Sequence, residues 1–256
     1  MKVTEDENKG KELGNIIILK NVTGFKELDE LKSGFVATVS HELRTPLSAI
    51  NMSLRLLQDN RVGKLNEEQA KITGAMKDEV KRLLKLVSEL LNLSKIESGG
   101  DILNKDYVKV EELIDAAVTP LLLQLQQKNI ELETKIESNL PDIKVDINKI
   151  AWVLINLLNN AVRYSRESGK IILEVKKVNE NLLFSVKDFG KGIEPNFINK
   201  IFDKFVQVDS KKSESYRGVG LGLAISKEFV TAHGGEINVK SEPGIGSEFY
   251  FSIPYK

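Results

Sequence analysis

His41-Glu42-Leu43-Arg44-Thr45-Pro46 sits inside a long periodic stretch and holds one of the chain's two histidines. Around it Leu28, Leu31, Phe35, Val39, Leu43, Leu47, Ile50, Leu54 and Leu57 recur at steps of three or four, the spacing of one buried helix face. His41 falls off that stripe and is expected to point to solvent. Pro46 has no N–H, so the Glu42 carbonyl loses its helical partner and a bend is expected just after the histidine. Glu42 is placed to hold one ring nitrogen by a hydrogen bond and leave the other free to attack. Thr45, four residues on, shares the histidine's face. A merely solvated surface histidine is the plain alternative, and these neighbours argue against it.

The periodicity extends to a helix from about Phe25 to Asp59, a turn over Asn60–Asn66 that contains Gly63, and a second helix to about Glu97. Ile72, Met76, Val80, Leu83, Val87 and Leu90 make the second apolar face, with Gly74 a tolerated weak spot. Two such faces exceed what one hairpin can cover, so two hairpins are expected to pair as a four-helix bundle in a homodimer. Ser98-Gly99-Gly100 marks a boundary, giving a hairpin over residues 25–98 and a second domain over 101–256. Residues 1–14 are polar and expected to be loosely ordered, and Asn15–Asn21 reads as a lone strand. Residues 1–24 thus resemble the last strand and exit linker of an upstream PAS-type sensor, with a flexible tail as the alternative.

From Asp101 the pattern becomes mixed. Helices are expected at Glu111–Lys128, interrupted at Pro120, at Ile147–Tyr164 and at Val219–His233. Strands are expected at Ile130–Ile136, Ile143–Asp146, Lys170–Val178, Leu182–Lys187, Glu236–Lys240 and Ser247–Ile253. Strands joined by hairpins and grouped with helices predict an α/β sandwich, one mixed sheet with helices on one face. The fold class is therefore a helical hairpin forming a dimeric four-helix bundle, followed by an α/β sandwich.

Composition narrows the classes. The chain is 41% hydrophobic and 29% charged with zero formal net charge, which lacks the basic surplus of a nucleic-acid binder. It has no cysteine, so disulfides and cysteine-bound metals are excluded. No apolar run is long enough to span a bilayer and no signal-peptide pattern opens the chain, so no membrane contact is expected in this segment and a cytoplasmic location is. A membrane-anchored parent protein stays open.

On the Ile147–Tyr164 helix, Asn156, Asn160, Arg163 and Tyr164 form a polar stripe opposite Ile150, Val153, Leu154, Leu157 and Ala161. Asparagine disfavours helix interiors, and a solvated face is normally dressed with Lys and Glu. A carboxamide oxygen does suit Mg²⁺ that is also held by phosphates. Asp188-Phe-Gly190-Lys-Gly192-Ile193 ends a strand, and Gly218-Val-Gly220-Leu221-Gly222-Leu223 opens a helix, where glycines let backbone N–H groups approach phosphates. No opening strand of a βαβ unit precedes that triplet, so a dinucleotide fold is disfavoured.

Phe35-Val-Ala-Thr-Val-Ser-His-Glu-Leu-Arg-Thr-Pro-Leu-Ser-Ala-Ile50 resembles the phosphoacceptor box of sensor histidine kinases. Asn156-Leu-Leu-Asn-Asn160-Ala-Val-Arg163-Tyr164 resembles their N box, the two glycine segments their glycine boxes, and Ile201-Phe202-Asp203-Lys204-Phe205 their phenylalanine box. Each occurs once, in family order, over roughly Leu28–Pro254. The resemblance implies the following roles. Asn160 binds Mg²⁺, Asn156 and Arg163 approach the phosphates, and Asp188 accepts from the adenine amino group. Lys204 reaches the γ-phosphate from a lid over Lys191–Tyr216, which Phe202 and Phe205 pack down. Arg163 stands where the family more often has Lys, and Arg217 where it often has Gly.

The implied reaction is autophosphorylation of His41 by Mg²⁺-ATP and transfer to an aspartate of a response regulator receiver domain. Thr45 matches a position that serves regulator dephosphorylation. An ATP-clamp ATPase of the gyrase and chaperone type, or a non-enzymatic dimer scaffold, are the alternatives. His233 is expected to complement a helix C-terminus and Trp152 to pack.

Overall fold

The computed structural model describes residues 2–4, 12–15, 23–97, 103–207 and 220–255. Strands β1 (Lys2–Thr4) and β2 (Glu12–Asn15) pair antiparallel. The segment expected to be loosely ordered therefore holds a strand pair, whereas the strand expected at Asn15–Asn21 lies, but for Asn15, outside the described residues. Backbone pairing defines strands this short, and no side-chain pattern announces them.

Helix α1 (Thr23–Leu57) runs unbroken through Pro46. Only the hydrogen bond from position 46 to the Glu42 carbonyl is lost, and one missing bond does not end a helix of this length. Helix α2 (Glu67–Glu97) starts on a reciprocal cap: Gln69 N–H donates to Asn66 Oδ1 at 2.8 Å, and Asn66 N–H to Gln69 Oε1 at 3.0 Å. Leu54, Val80 and Val87 are buried along the hairpin, and Lys77 Nζ reaches Gln58 Oε1 at 2.8 Å. Stepping equally back along both antiparallel helices from that pair brings His41 level with Ser94. Leu43, Ile50 and Leu57 on α1, with Ile72, Met76 and Leu83 on α2, remain exposed.

Helix α3 (Val110–Val118) passes through a 3₁₀ turn at Pro120 into α4 (Leu122–Gln127), as the proline dictates. Strands β4 (Glu131–Ile136), β6 (Lys170–Val178), β7 (Asn181–Asp188), β9 (Gly246–Pro254) and β8 (Ile237–Glu242) form one sheet in that order, with β4–β6 parallel and the rest antiparallel. β3 (Asp106–Val108) and β5 (Ile143–Val145) make a separate small ladder. Helix α5 (Ile147–Tyr164) packs between α3 and α7 (Gly222–Ala232). The short α6 (Pro195–Ile198) follows β7. Neither β3 nor α6 is long enough to show a period.

Alternate residues of β6 and β7 point into the core: Ile171, Leu173 and Val175 meet Leu182, Phe184 and Val186, under Leu154, Leu157 and Leu158 of α5. Phe184 and Phe251, paired in register, stack at 4.8 Å. Trp152 packs edge-on against Phe229, as expected. Leu93 of α2 joins this same core, so the hairpin is docked on the sheet domain through the side of α7.

His233 departs from its expected role. Asp146 N–H donates to its Nε2 at 3.0 Å, so Nδ1 carries the proton and donates to the Phe229 carbonyl at 2.7 Å. Burial holds its pKa below the ordinary histidine value. A neutral imidazole gives no charge to a helix dipole. It ties the end of α7 to the start of α5, where Asp146 Oδ1 caps Asn148 and Lys149 N–H.

Candidate active site

The polar stripe of α5, the turn after β7 and the start of α7 enclose a cleft of about 1040 Å³ counting its open mouth, at the upper end of the roughly 300–1,000 Å³ of small-molecule sites. Asn156, Asn160, Arg163 and Tyr164 line one wall, Asp188, Lys191, Gly192 and Ile193 another, and Gly220, Gly222 and Leu223 a third. Segments more than twenty residues apart thus converge as their sequence suggested.

Asn156 is fixed by its neighbours. Its Nδ2 donates to Ser226 Oγ of α7 at 3.0 Å, and a Cβ on Gly222 would stand 2.5 Å from its Oδ1. Glycine at 222 therefore lets α7 approach α5 closely. Asn160, one turn on, faces the cleft, and its carboxamide makes no hydrogen bond among the described residues. A hard oxygen donor available beside basic side chains suits a divalent cation shared with phosphates.

Asp188 is buried at the end of β7 and accepts the Gly190 N–H at 2.9 Å. Burial raises its pKa, and backbone N–H bonds from Gly190 and Ser247 oppose the rise. The carboxylate keeps acceptor capacity for a further N–H such as an exocyclic amine. Gly190 underlies Tyr164, whose carbonyl a Cβ would strike, and Gly192 takes φ +69° against the Glu242 carbonyl. Arg163 and Lys191 flank the Tyr164 ring at 5.2 and 4.6 Å, giving the cleft a cationic edge. Burial, then repulsion from Arg163, lowers the Lys191 pKa.

Some expected residues stand elsewhere. Leu221 is buried in the hydrophobic core, so its side chain is packing. Lys204 is exposed and does not line the cleft. Phe202 does pack, edge-on to Phe249, but Phe205 is 61% exposed and holds nothing down. Gly220, at φ +77°, accepts the Phe205 N–H at 3.0 Å, which joins the residues on either side of 208–219. Gly218 and Arg217 lie outside the described residues.

The imidazole of His41 is 73% exposed on α1, with Nδ1 3.6 Å from Glu42 Oε1, a close approach longer than a hydrogen bond. Thr45 Oγ1 donates weakly to the His41 carbonyl at 3.4 Å. None of these three lines the cleft. Three charged residues that do were not anticipated: Lys191, visible only as a cation inside the first glycine box, and Lys85 and Glu89 of α2.

Two family models match the chain. Residues 31–99 match the His Kinase A (phospho-acceptor) domain, and residues 145–256 the histidine kinase-, DNA gyrase B- and HSP90-like ATPase. The sensor histidine kinase WalK of Bacillus subtilis is 35% identical over 253 residues, and the alginate biosynthesis sensor protein KinB of Pseudomonas aeruginosa 33% over 245; each alignment covers 96% of this chain. The chain spans about 40% of the length of these relatives. Full-length ShkA in complex with AMPPNP superposes with TM-score 0.74 at 33% identity, over 87% of this chain and 46% of that one. The Acinetobacter baumannii histidine kinase AdeS gives 0.60 at 26%, over 84% and 98%.

Proposed function

Because the chain belongs to the sensor histidine kinases, we propose that it transfers the γ-phosphoryl group of ATP to His41 and then to an aspartate of a response regulator receiver domain. One observation carries this reading: a single chain combines an exposed, carboxylate-flanked imidazole with a cleft whose Asp188, Asn160 and cationic edge match adenine and phosphates. Glu42, beside Nδ1, orients the ring and takes its proton, which leaves Nε2 as the nucleophile. The Nε2–P bond forms as the bond from phosphorus to the β–γ bridging oxygen breaks, and ADP leaves with that electron pair. Arg163 and Lys191 offset negative charge at the phosphates. Asn160 would hold Mg²⁺, whose chemistry is to bridge and neutralise phosphate oxygens. Because the reaction needs His41 at the γ-phosphate and His41 does not line the cleft, the sheet domain must shift on the hairpin before transfer.

The apolar face left exposed on α1 and α2 supports a homodimer closed as a four-helix bundle. Thr45, on the histidine's face, serves regulator dephosphorylation in this reading. No helix among the described residues is long and apolar enough to cross a membrane.

Incubation with labelled Mg²⁺-ATP is expected to leave acid-labile, alkali-stable phosphate on the protein, and His41→Gln to abolish it while retaining ATP binding. Label persisting in that variant would refute the assignment, and ATP hydrolysis without protein-bound phosphate would point to a clamp ATPase. Thr45→Ala is expected to keep autophosphorylation within about twofold of wild type and slow regulator dephosphorylation by roughly a hundredfold, the low end of general acid–base effects. Equal loss of both activities would remove that division of roles.

A further inference from the structure

Lys85, Glu89 and Leu93 recur every four residues along one face of α2, and the sheet domain covers that face. Leu93 enters the core shared with α5 and α7, while Lys85 and Glu89 line the nucleotide cleft. Lys85 stays largely in solvent, but the Glu89 side chain is only 8% exposed. Its nearest cation is Lys85 Nζ at 3.8 Å, beyond hydrogen-bond length. A carboxylate so enclosed and so weakly paired makes the docked arrangement costly to hold. Burial pushes its pKa up, against the pull of Lys85. The other charged groups lining the cleft are Arg163, Lys191 and Asp188.

Resting on the reading of this cleft as the ATP site, we infer that Glu89 is a nucleotide-affinity determinant supplied by the hairpin, its carboxylate opposing the triphosphate so that ATP binding and docking of α2 antagonise one another. A triphosphate brings several negative charges into a cleft that already encloses the carboxylates of Glu89 and Asp188. Coulomb repulsion there is screened less than in bulk water. The system escapes by withdrawing α2, and the same movement releases the sheet domain to travel towards His41. Glu89 thus makes loading of the nucleotide the event that frees the domain.

The test measures binding of Mg²⁺-ATP and of metal-free ATP to the full chain by calorimetry, for wild type, Glu89→Gln and the exposed-site control Glu68→Gln. Glu89→Gln is expected to bind both forms more tightly, on the order of tenfold at a partly screened site, and the control to match wild type. Hydrogen exchange supplies a readout that simple packing would not move. Mg²⁺-ATP should loosen the last turns of α2 in wild type and leave them protected in Glu89→Gln. Glu89→Ala should show the same affinity gain if the charge is responsible. Unchanged affinity in both variants would overturn the inference, as would weaker binding confined to Mg²⁺-ATP, which would make Glu89 a metal ligand. Failure of wild type to bind ATP at all would instead overturn the reading of the cleft.

Discussion

The hairpin and the sheet domain solve the burial problem differently. In the sheet domain the apolar residues of α5, β6 and β7 are almost wholly enclosed, with Leu154, Leu157, Ile171 and Phe184 at 0% exposure. In the hairpin Leu43, Ile50, Met76 and Leu83 keep between 38% and 49% of their surface in the open. The first unit is closed by its own chain; the second needs a partner surface. The difference matches the two jobs. A nucleotide site demands side chains held to fractions of an ångström, whereas a phosphoacceptor must stay accessible in turn to an ATP cleft and to another protein.

The largest effect should come from attacking the open face. Ile50→Asp removes roughly 1.5–3 kcal/mol of apolar burial per copy and sets a charge on a surface that pairing would dehydrate. We expect a dimer dissociation constant raised by about a thousandfold or more, two copies of that burial lost together, read by analytical ultracentrifugation. ATP binding should be unaffected, because Ile50 does not line the cleft. A variant that stays dimeric would show that this face is not the interface and would undo the contrast.

A smaller effect is expected inside the closed unit from Gly222→Ala. Residue 222 opens α7 without a positive φ, so alanine costs no backbone strain there. The new Cβ would meet Asn156 Oδ1 at 2.5 Å, and a side-chain tip can move aside. Unfolding stability should therefore change by less than about 1 kcal/mol. ATP affinity should fall by roughly tenfold, about 1.4 kcal/mol, because Asn156 leaves the position that Ser226 sets. If the effect runs through Asn156, adding Gly222→Ala to Asn156→Ala should cost nothing more. Additive losses would place the role of Gly222 in backbone contacts instead.

What the sequence disclosed follows from how each feature is encoded. The α5 helix was legible to its last residue because its apolar and polar stripes run its whole length and Asp146 stands at its start as a cap. The β6–β7 hairpin was legible from alternation around Asn179. Asn156, Asn160, Asp188 and Gly222 were legible as chemistry out of place: carboxamides mid-helix, and glycines where a strand or helix ends. β1 and β3 were not, since three residues carry no period. Glu89 was hidden for another reason. On α2 it reads as one more charged helix residue, and only packing against α7 reveals that it is enclosed. Pro46 was legible as a lost hydrogen bond, and the 35-residue helix runs on through it.

The smallest predicted effect concerns how the closed unit holds its layers together. His233 is neutral in the fold, with Nε2 accepting from Asp146 N–H and Nδ1–H donating to Phe229, and its pKa lies below the ordinary value. The unfolded chain therefore takes up a proton at this site at a higher pH than the folded one. Stability from His233 is complete above the unfolded pKa near ~6.5 and is lost as pH falls through the folded value. In a His41→Gln background, which leaves His233 the sole histidine, thermal unfolding should show the sheet domain weakening below about pH 6.5. Changing His233 to Gln should lower stability by about 1 kcal/mol at pH 7.5, the worth of an imperfectly replaced hydrogen bond. It should also remove part of the acid slope, so that the two unfolding curves converge as pH falls. Parallel curves from pH 8 to pH 5 would mean that the link between α5 and α7 does not depend on a neutral imidazole.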